Sequence, residues 1–189
     1  MKVIVNFVVF QAAWFATVLG AANGMPWVGP IVVLAAAALH LRTTRLPQAE
    51  AWLLASAMAL GLVIDSLVLA TGWITYPNGE WIPGLAPYWI IAMWALFATT
   101  LNVSMRWMRG RYVIAALFGA VGGPLSYYAG AKLGAMIFVD TPAAAAALAL
   151  AWALAMPALM WLASRLDGTR QPTRPDYIQK SWRQVDSHG

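Results

Sequence analysis

The sequence predicts an all-α integral membrane protein with six transmembrane helices and both termini in the cytoplasm. Three observations predict it. Of 189 residues 61% are hydrophobic and only 10% charged, whereas soluble domains carry roughly a quarter charged residues. The apolar residues fall into six runs near the length of about 20 residues that crosses a hydrocarbon core of about 30 Å. The basic residues sit in alternate connectors: Lys2, then Arg42 and Arg45, then Arg106, Arg109 and Arg111, then the stretch from Arg165, with Lys132 the one exception. By the positive-inside rule that alternation places both termini in the cytoplasm.

The first run, residues 3–22, follows Lys2 and resembles a secretory signal. It is too long for an h-region and carries Asn6 and Gln11, so a retained helix is expected. The second, 25–41, follows a short turn and ends in His40. The third, 50–72, opens after Pro47 with Glu50 in its first turn, where a carboxylate offsets the helix dipole. A loop rich in Trp, Tyr, Pro and Gly then precedes the fourth run, 86–107, and its aromatic residues suit an interfacial anchor or a lid over a flat ligand. The fifth, 112–136, is glycine-rich and interrupted by Pro124, which predicts a kink; the sixth, 142–166, is alanine-rich. Residues 1–166 are thus expected to form one transmembrane domain. Residues 167–189 are expected to be a disordered cytoplasmic tail, touching anionic lipid through Arg170, Arg174, Lys180 and Arg183. Val28-Gly29-Pro30 against Gly122-Gly123-Pro124 is the one internal echo that an inverted repeat of two three-helix halves would leave.

Asp65 stands well inside a span, where a carboxylate costs a few kcal/mol and is buried against a partner. Ala57, Gly61 and Asp65 lie on one helical row, and the small neighbours admit a second helix. Counting about 1.5 Å per residue puts Asp65 and Ser126 at the same depth. Ser126 and Tyr127 are therefore the expected partners, with Gly123 and Pro124 in the same polar or ligand-binding centre. Gly119, Gly123, Gly130 and Gly134 share one face of the fifth helix, suited to close packing within the chain or between copies in a homo-oligomer. Lys132 lies on the opposite face and is expected to reach headgroups.

A second polar group, Asn6, Gln11, His40, Glu50 and Asn102, falls within about 15 Å of the cytoplasmic surface by the same count. Read as catalysis, His40 is a general base and Glu50 its partner; read as structure, Glu50 caps a helix and His40 faces headgroups. With no cysteine and only His40 and His188 as histidines, no thiolate or multi-histidine metal site is available, and neither metal nor cofactor is expected. No phosphate-binding glycine loop or serine nucleophile elbow is present. Nothing beyond net charge supports nucleic-acid binding.

Asn6-x-x-x-Phe10-Gln11-x-x-Trp14, Glu50, Asp65, the helix with Trp89 and Trp94, and Gly122-Gly123-Pro124-Leu125-Ser126-Tyr127-x-x-Gly130 together resemble a family of small bacterial inner-membrane proteins catalogued only as a domain of unknown function. The resemblance implies a six-helix fold in the bacterial inner membrane and no established activity. It also implies a neighbourhood of lipid-modifying enzymes. In size and layout the chain is also similar to vitamin-binding subunits of energy-coupling-factor transporters, with Ala12 and Ala16 as the docking residues and the aromatic loop as lid. The leading expectation is a non-enzymatic protein that binds a lipid or small amphiphile or assists a lipid-modifying enzyme. The alternatives are a substrate-binding transporter subunit and a membrane-embedded lipid enzyme using His40 and Glu50.

Overall fold

The computed structural model describes residues 2–170. In chain order it comprises α1 (Val3–Ala22), α2 (Val28–Thr43), α3 (Pro47–Ala70), strand β1 (Ile74–Thr75), α4 (Tyr88–Leu101), a single 3₁₀ turn (Arg106–Met108), α5 (Tyr112–Lys132), strand β2 (Ile137–Phe138) and α6 (Thr141–Arg165). Four of the six helices, α1, α3, α5 and α6, are long and apolar enough to cross a membrane. The other two, α2 and α4, have 16 and 14 residues.

The bundle is built around the shortest helix. Eleven of the fourteen residues of α4 are buried, because α1, α2, α3 and α6 all pack against it. Such all-round burial is what a helix apolar on every face requires. The surrounding helices turn large apolar side chains outward, among them Ile4, Leu34, Val113 and Leu154. The buried set instead includes Asn6, Thr17, His40, Glu50, Asp65, Thr99 and Asn102. An apolar exterior over a partly polar interior fits a hydrocarbon surrounding, where polar side chains are turned inward.

Two sets of contacts fasten the ends. At one end β1 and β2 pair antiparallel, Ile74 opposite Phe138 and Thr75 opposite Ile137, which joins the α3–α4 loop to the α5–α6 loop. Asn78 Nδ2 donates to the Ala21 carbonyl at 2.9 Å and fixes the same loop to the end of α1. At the opposite, basic end the backbone N–H groups of Arg45 and Leu46 donate to the Gly168 carbonyl at 2.9 and 3.0 Å. Asp140 caps α6 by accepting from the Ala143 N–H at 3.1 Å.

Three expectations need correction. The fourth apolar run does not stay helical to residue 107: α4 stops at Leu101, because Asn102 turns its side chain into a network with Glu50 and the Leu166 carbonyl. The fifth helix stops at Lys132, and Gly134 lies beyond it in a turn at φ +91°, so the row of four helical glycines is a row of three. The polar stretch does not leave the domain at residue 167. Asp167 to Arg170 fold back onto the bundle, since Gly168 is buried against Leu46 and Glu50. Arg174, Lys180, Arg183 and His188, with the rest of the expected tail, lie outside the described residues.

Candidate functional site

Asp65 is fully buried on α3. Its Oδ1 accepts from the Tyr127 hydroxyl of α5 at 2.6 Å, and its Oδ2 from Trp94 Nε1 of α4 at 2.6 Å. One carboxyl group therefore ties three helices. The indole reaches it because Gly61, one turn before Asp65, leaves the room: a Cβ there would collide with the Trp94 ring. Trp94 stacks on Trp152 of α6 at 4.6 Å between ring centroids and 13° between planes, with Phe97 set edge-on to Trp152 at 5.2 Å. Gly123 gives the same kind of room on α5, where a Cβ would run into Trp152, and a Cβ on Gly119 would strike the Trp152 carbonyl and Met156. These two glycines thus pack against α6 of the same chain. Ser126 does not reach Asp65. Its hydroxyl donates to the Gly123 carbonyl at 2.8 Å, one turn back in a helix where Pro124 has already removed a backbone donor.

Beside this centre, between α1 and α5, lies a cleft of about 210 Å³. Phe10, Trp14 and Val18 form its α1 side; Phe118, Gly122, Ser126 and Gly130 belong to the α5 side; α4 and α6 supply Met93, Trp94, Trp152 and Met156 as the floor. Tyr127 and Trp94, the two donors to Asp65, both line it, so the carboxyl group holds two pieces of the cleft wall from behind. Five side-chain polar atoms are buried without a hydrogen-bond partner among the described residues: Trp152 Nε1 in the cleft wall, the Tyr76 hydroxyl, Thr17 Oγ1, His40 Nδ1 and Arg109 Nε. Tyr76 packs edge-on to Trp89 at 5.9 Å. Trp89 Nε1 donates to the Asn78 carbonyl at 3.0 Å, so this indole belongs to the core and not to a lid. Lys132 is exposed and lies over the Tyr128 ring at 5.2 Å, away from Asp65.

Of the second polar group, His40, Glu50 and Asn102 are drawn together at the basic end. His40 and Glu50 are both fully buried, and His40 Nε2 lies 2.9 Å from Glu50 Oε2. Glu50 Oε1 accepts from Asn102 Nδ2 and from the Gly168 N–H, each at 2.8 Å. His40 therefore faces Glu50 and not headgroups. Asn6 Nδ2 donates to the Thr99 carbonyl at 3.1 Å, and its Oδ1 accepts from Ser104 at 2.7 Å. Gln11 is half-buried and stands apart from these contacts.

Arg109 links this group to Asp167, donating to Asn102 Oδ1 and, at 2.7 Å, to Asp167 Oδ2. Burial works to raise the Asp167 carboxyl, but the hydrogen bonds from Thr169 and Arg109 outweigh it and hold the group below the usual carboxylate range. A general base must reach the proton it removes. The polar depression at this end is lined by Arg45, Asn102, Arg106 and Thr169 among others, and by neither His40 nor Glu50. Both Glu50 oxygens are spent on joining α2, α3, α4 and the segment after α6. Among the described residues no three His, Asp or Glu side chains converge to hold a metal ion.

Trp94 and Trp152 are the site residues that sequence reasoning missed. A tryptophan in an apolar helix carries no periodic signal, but Gly61 one turn from Asp65 and Gly123 beside Tyr127 mark where a large side chain must fit. No curated protein and no solved structure matches the chain. No similarity to vitamin-binding transporter subunits is shown. Residues 3–158 match the family described as protein of unknown function (DUF2878), and the chain belongs to that family.

Proposed function

We propose that this protein spans the bacterial inner membrane six times, with both termini cytoplasmic, and binds a membrane lipid or small amphiphile in the cleft between α1 and α5. The cleft carries this reading. It is concave, walled almost wholly by aromatic side chains, methionine and glycine, and opens on an apolar surface, as Phe118 lines it while 42% exposed. The Asp65 centre serves it by positioning Trp94 and Tyr127. The His40–Glu50 pair, buried out of reach of the polar depression at that end and with both Glu50 oxygens bonded inside the protein, favours a binding protein, acting alone or beside a lipid-modifying enzyme, over an enzyme.

Gly122 supplies the test. It lines the cleft, and a Cβ there would meet nothing closer than the Phe118 ring at 3.8 Å. Gly122→Leu therefore fills the cleft without touching the α5–α6 seam, and exchanges a poor helix former for a good one. Native mass spectrometry of protein released from lipid nanodiscs is expected to show a discrete adduct on wild type that Gly122→Leu lacks. Identical adducts on both proteins would refute the cleft as the binding site.

A further inference from the structure

Given that binding reading, on which this step rests, we infer that the occupant of the cleft is a single acyl chain of a membrane phospholipid, with its polar headgroup outside. The wall chemistry is the first reason. Four polar side chains of the wall are bonded inward: Tyr127 and Trp94 to Asp65, Ser126 to the Gly123 carbonyl, and Trp89 to the Asn78 carbonyl. The other two, Trp14 and Trp152, are indoles, which offer one N–H each and no acceptor. A wall with no charged side chain, whose two hydroxyls already spend their protons on the protein, lacks the several placed polar contacts that a phosphate, a sugar or a vitamin-like solute needs.

Size is the second reason. The lining runs along α5 from Phe118 to Gly130, about 18 Å at about 1.5 Å per residue, or rather more than half of a hydrocarbon core of about 30 Å. The cleft holds about 210 Å³, modestly more than the roughly 150 Å³ cavity that takes one benzene ring. A space of that size drawn out along α5 suits one slender chain.

The shape of the wall is the third. With glycine at 119, 122, 123 and 130, the α5 side is smooth and has no recesses for methyl branches. Met93, Met105, Met136 and Met156 supply adaptable contacts around a flexible chain. A chain that leaves the bilayer for this cleft gains no hydrophobic energy, because lipid tails are as apolar as the wall. Selection is therefore by fit.

The test is photolabelling in nanodiscs of phosphatidylethanolamine and phosphatidylglycerol. Three diazirine probes are compared at equal mole fraction: one on a phospholipid acyl chain, one on an isoprenyl phosphate, one on a sterol. Peptide mass spectrometry compares the partly exposed cleft positions Phe10 and Met93 with the outward-facing Leu150 and Leu154, which are 65% and 68% exposed. The acyl probe is expected to mark the cleft several-fold above the outward belt. Gly122→Leu is expected to bring the cleft down to belt level with belt labelling unchanged, which also reports that the variant is folded; Gly122→Val serves if it is not. Preferential cleft labelling by the isoprenyl or sterol probe would overturn the acyl assignment while leaving the binding reading intact. Cleft labelling at belt level with all three probes on wild type would overturn both.

Discussion

Replacing Asp65 with leucine keeps the branched shape and removes both acceptors. The Tyr127 hydroxyl and Trp94 Nε1, each bonded at 2.6 Å, are then stranded in the core. Interhelical hydrogen bonds inside membranes contribute about 0.6 kcal/mol on average and up to about 1.7, so two short ones to a buried carboxyl put the loss at about 1–3 kcal/mol. Asp65→Asn is the informative companion. Its carbonyl still accepts from Trp94 and its amide donates to the Tyr127 oxygen, so the loss falls below about 1 kcal/mol. Stability is read by titrating sodium dodecyl sulfate into mixed micelles while following the loss of helical circular dichroism, since the fluorescence of eleven tryptophans does not single out Trp94. A double-mutant cycle with Tyr127→Phe isolates the bond itself. If Asp65→Leu is no less stable than Asp65→Asn, or if the cycle gives no coupling, the carboxyl does not hold the three helices together and its role in shaping the cleft wall falls with it.

Asp167 makes a prediction in pH. Because its carboxyl is held below the usual range, its contacts stabilise the folded-back segment above the unfolded value near 3.9 and are lost only as pH falls through the lower folded value. Amide exchange at Thr169, whose N–H donates to Asp167 Oδ1 at 3.0 Å, is expected to stay protected down to about pH 4 relative to its intrinsic rate. Loss of protection already above about pH 5 would contradict the assignment, and Asp167→Asn is expected to speed exchange at neutral pH. Six spans with cytoplasmic termini make a prediction in labelling, for which a chain without cysteine is a clean background. Cysteines placed at Asn23, Glu80 or Asp140 are expected to react with an impermeant maleimide from outside intact spheroplasts, and those at Arg45 or Gly110 only after lysis; any reversal within a set would refute the topology.

Most helix positions were legible because hydropathy and charge report directly on what a bilayer admits. The first run coincides with α1, and five of the six runs differ from their helices by at most four residues at either end. The end of α4 was not legible. Val103, Met105, Trp107 and Met108 continue the apolar run, while the stop is set by Asn102 bonding to residues 52 and 64 positions away. Counting depth along helices brought Asp65 to the level of Ser126 and Tyr127, but the choice between those neighbours depends on a rotation of about 100°. Ser126 also had a nearer acceptor, the Gly123 carbonyl. The folding back of Asp167 was hidden because a polar residue after an apolar run reads as solvent-exposed. Arg106 and Arg109, which pair with it from across the bundle, and the contacts of Gly168 with Leu46 and Glu50 make it otherwise. The cleft left no trace in the sequence, since it arises from how far α1 and α5 stand apart.

The contact between Glu50 and the Gly168 N–H, 118 residues apart, has a consequence for biosynthesis. Chains elongate at about 5–20 residues per second, so Gly168 is made roughly 6–24 s after Glu50. Asn102, 52 residues on, arrives in roughly 3–10 s at the same rates. Throughout that interval His40, ten residues upstream, is the one partner of this carboxyl that the ribosome has already delivered. The α2–α3 hairpin thus brings one hydrogen-bonding partner for Glu50 with it, and the stretch of chain just before residue 171 completes the set.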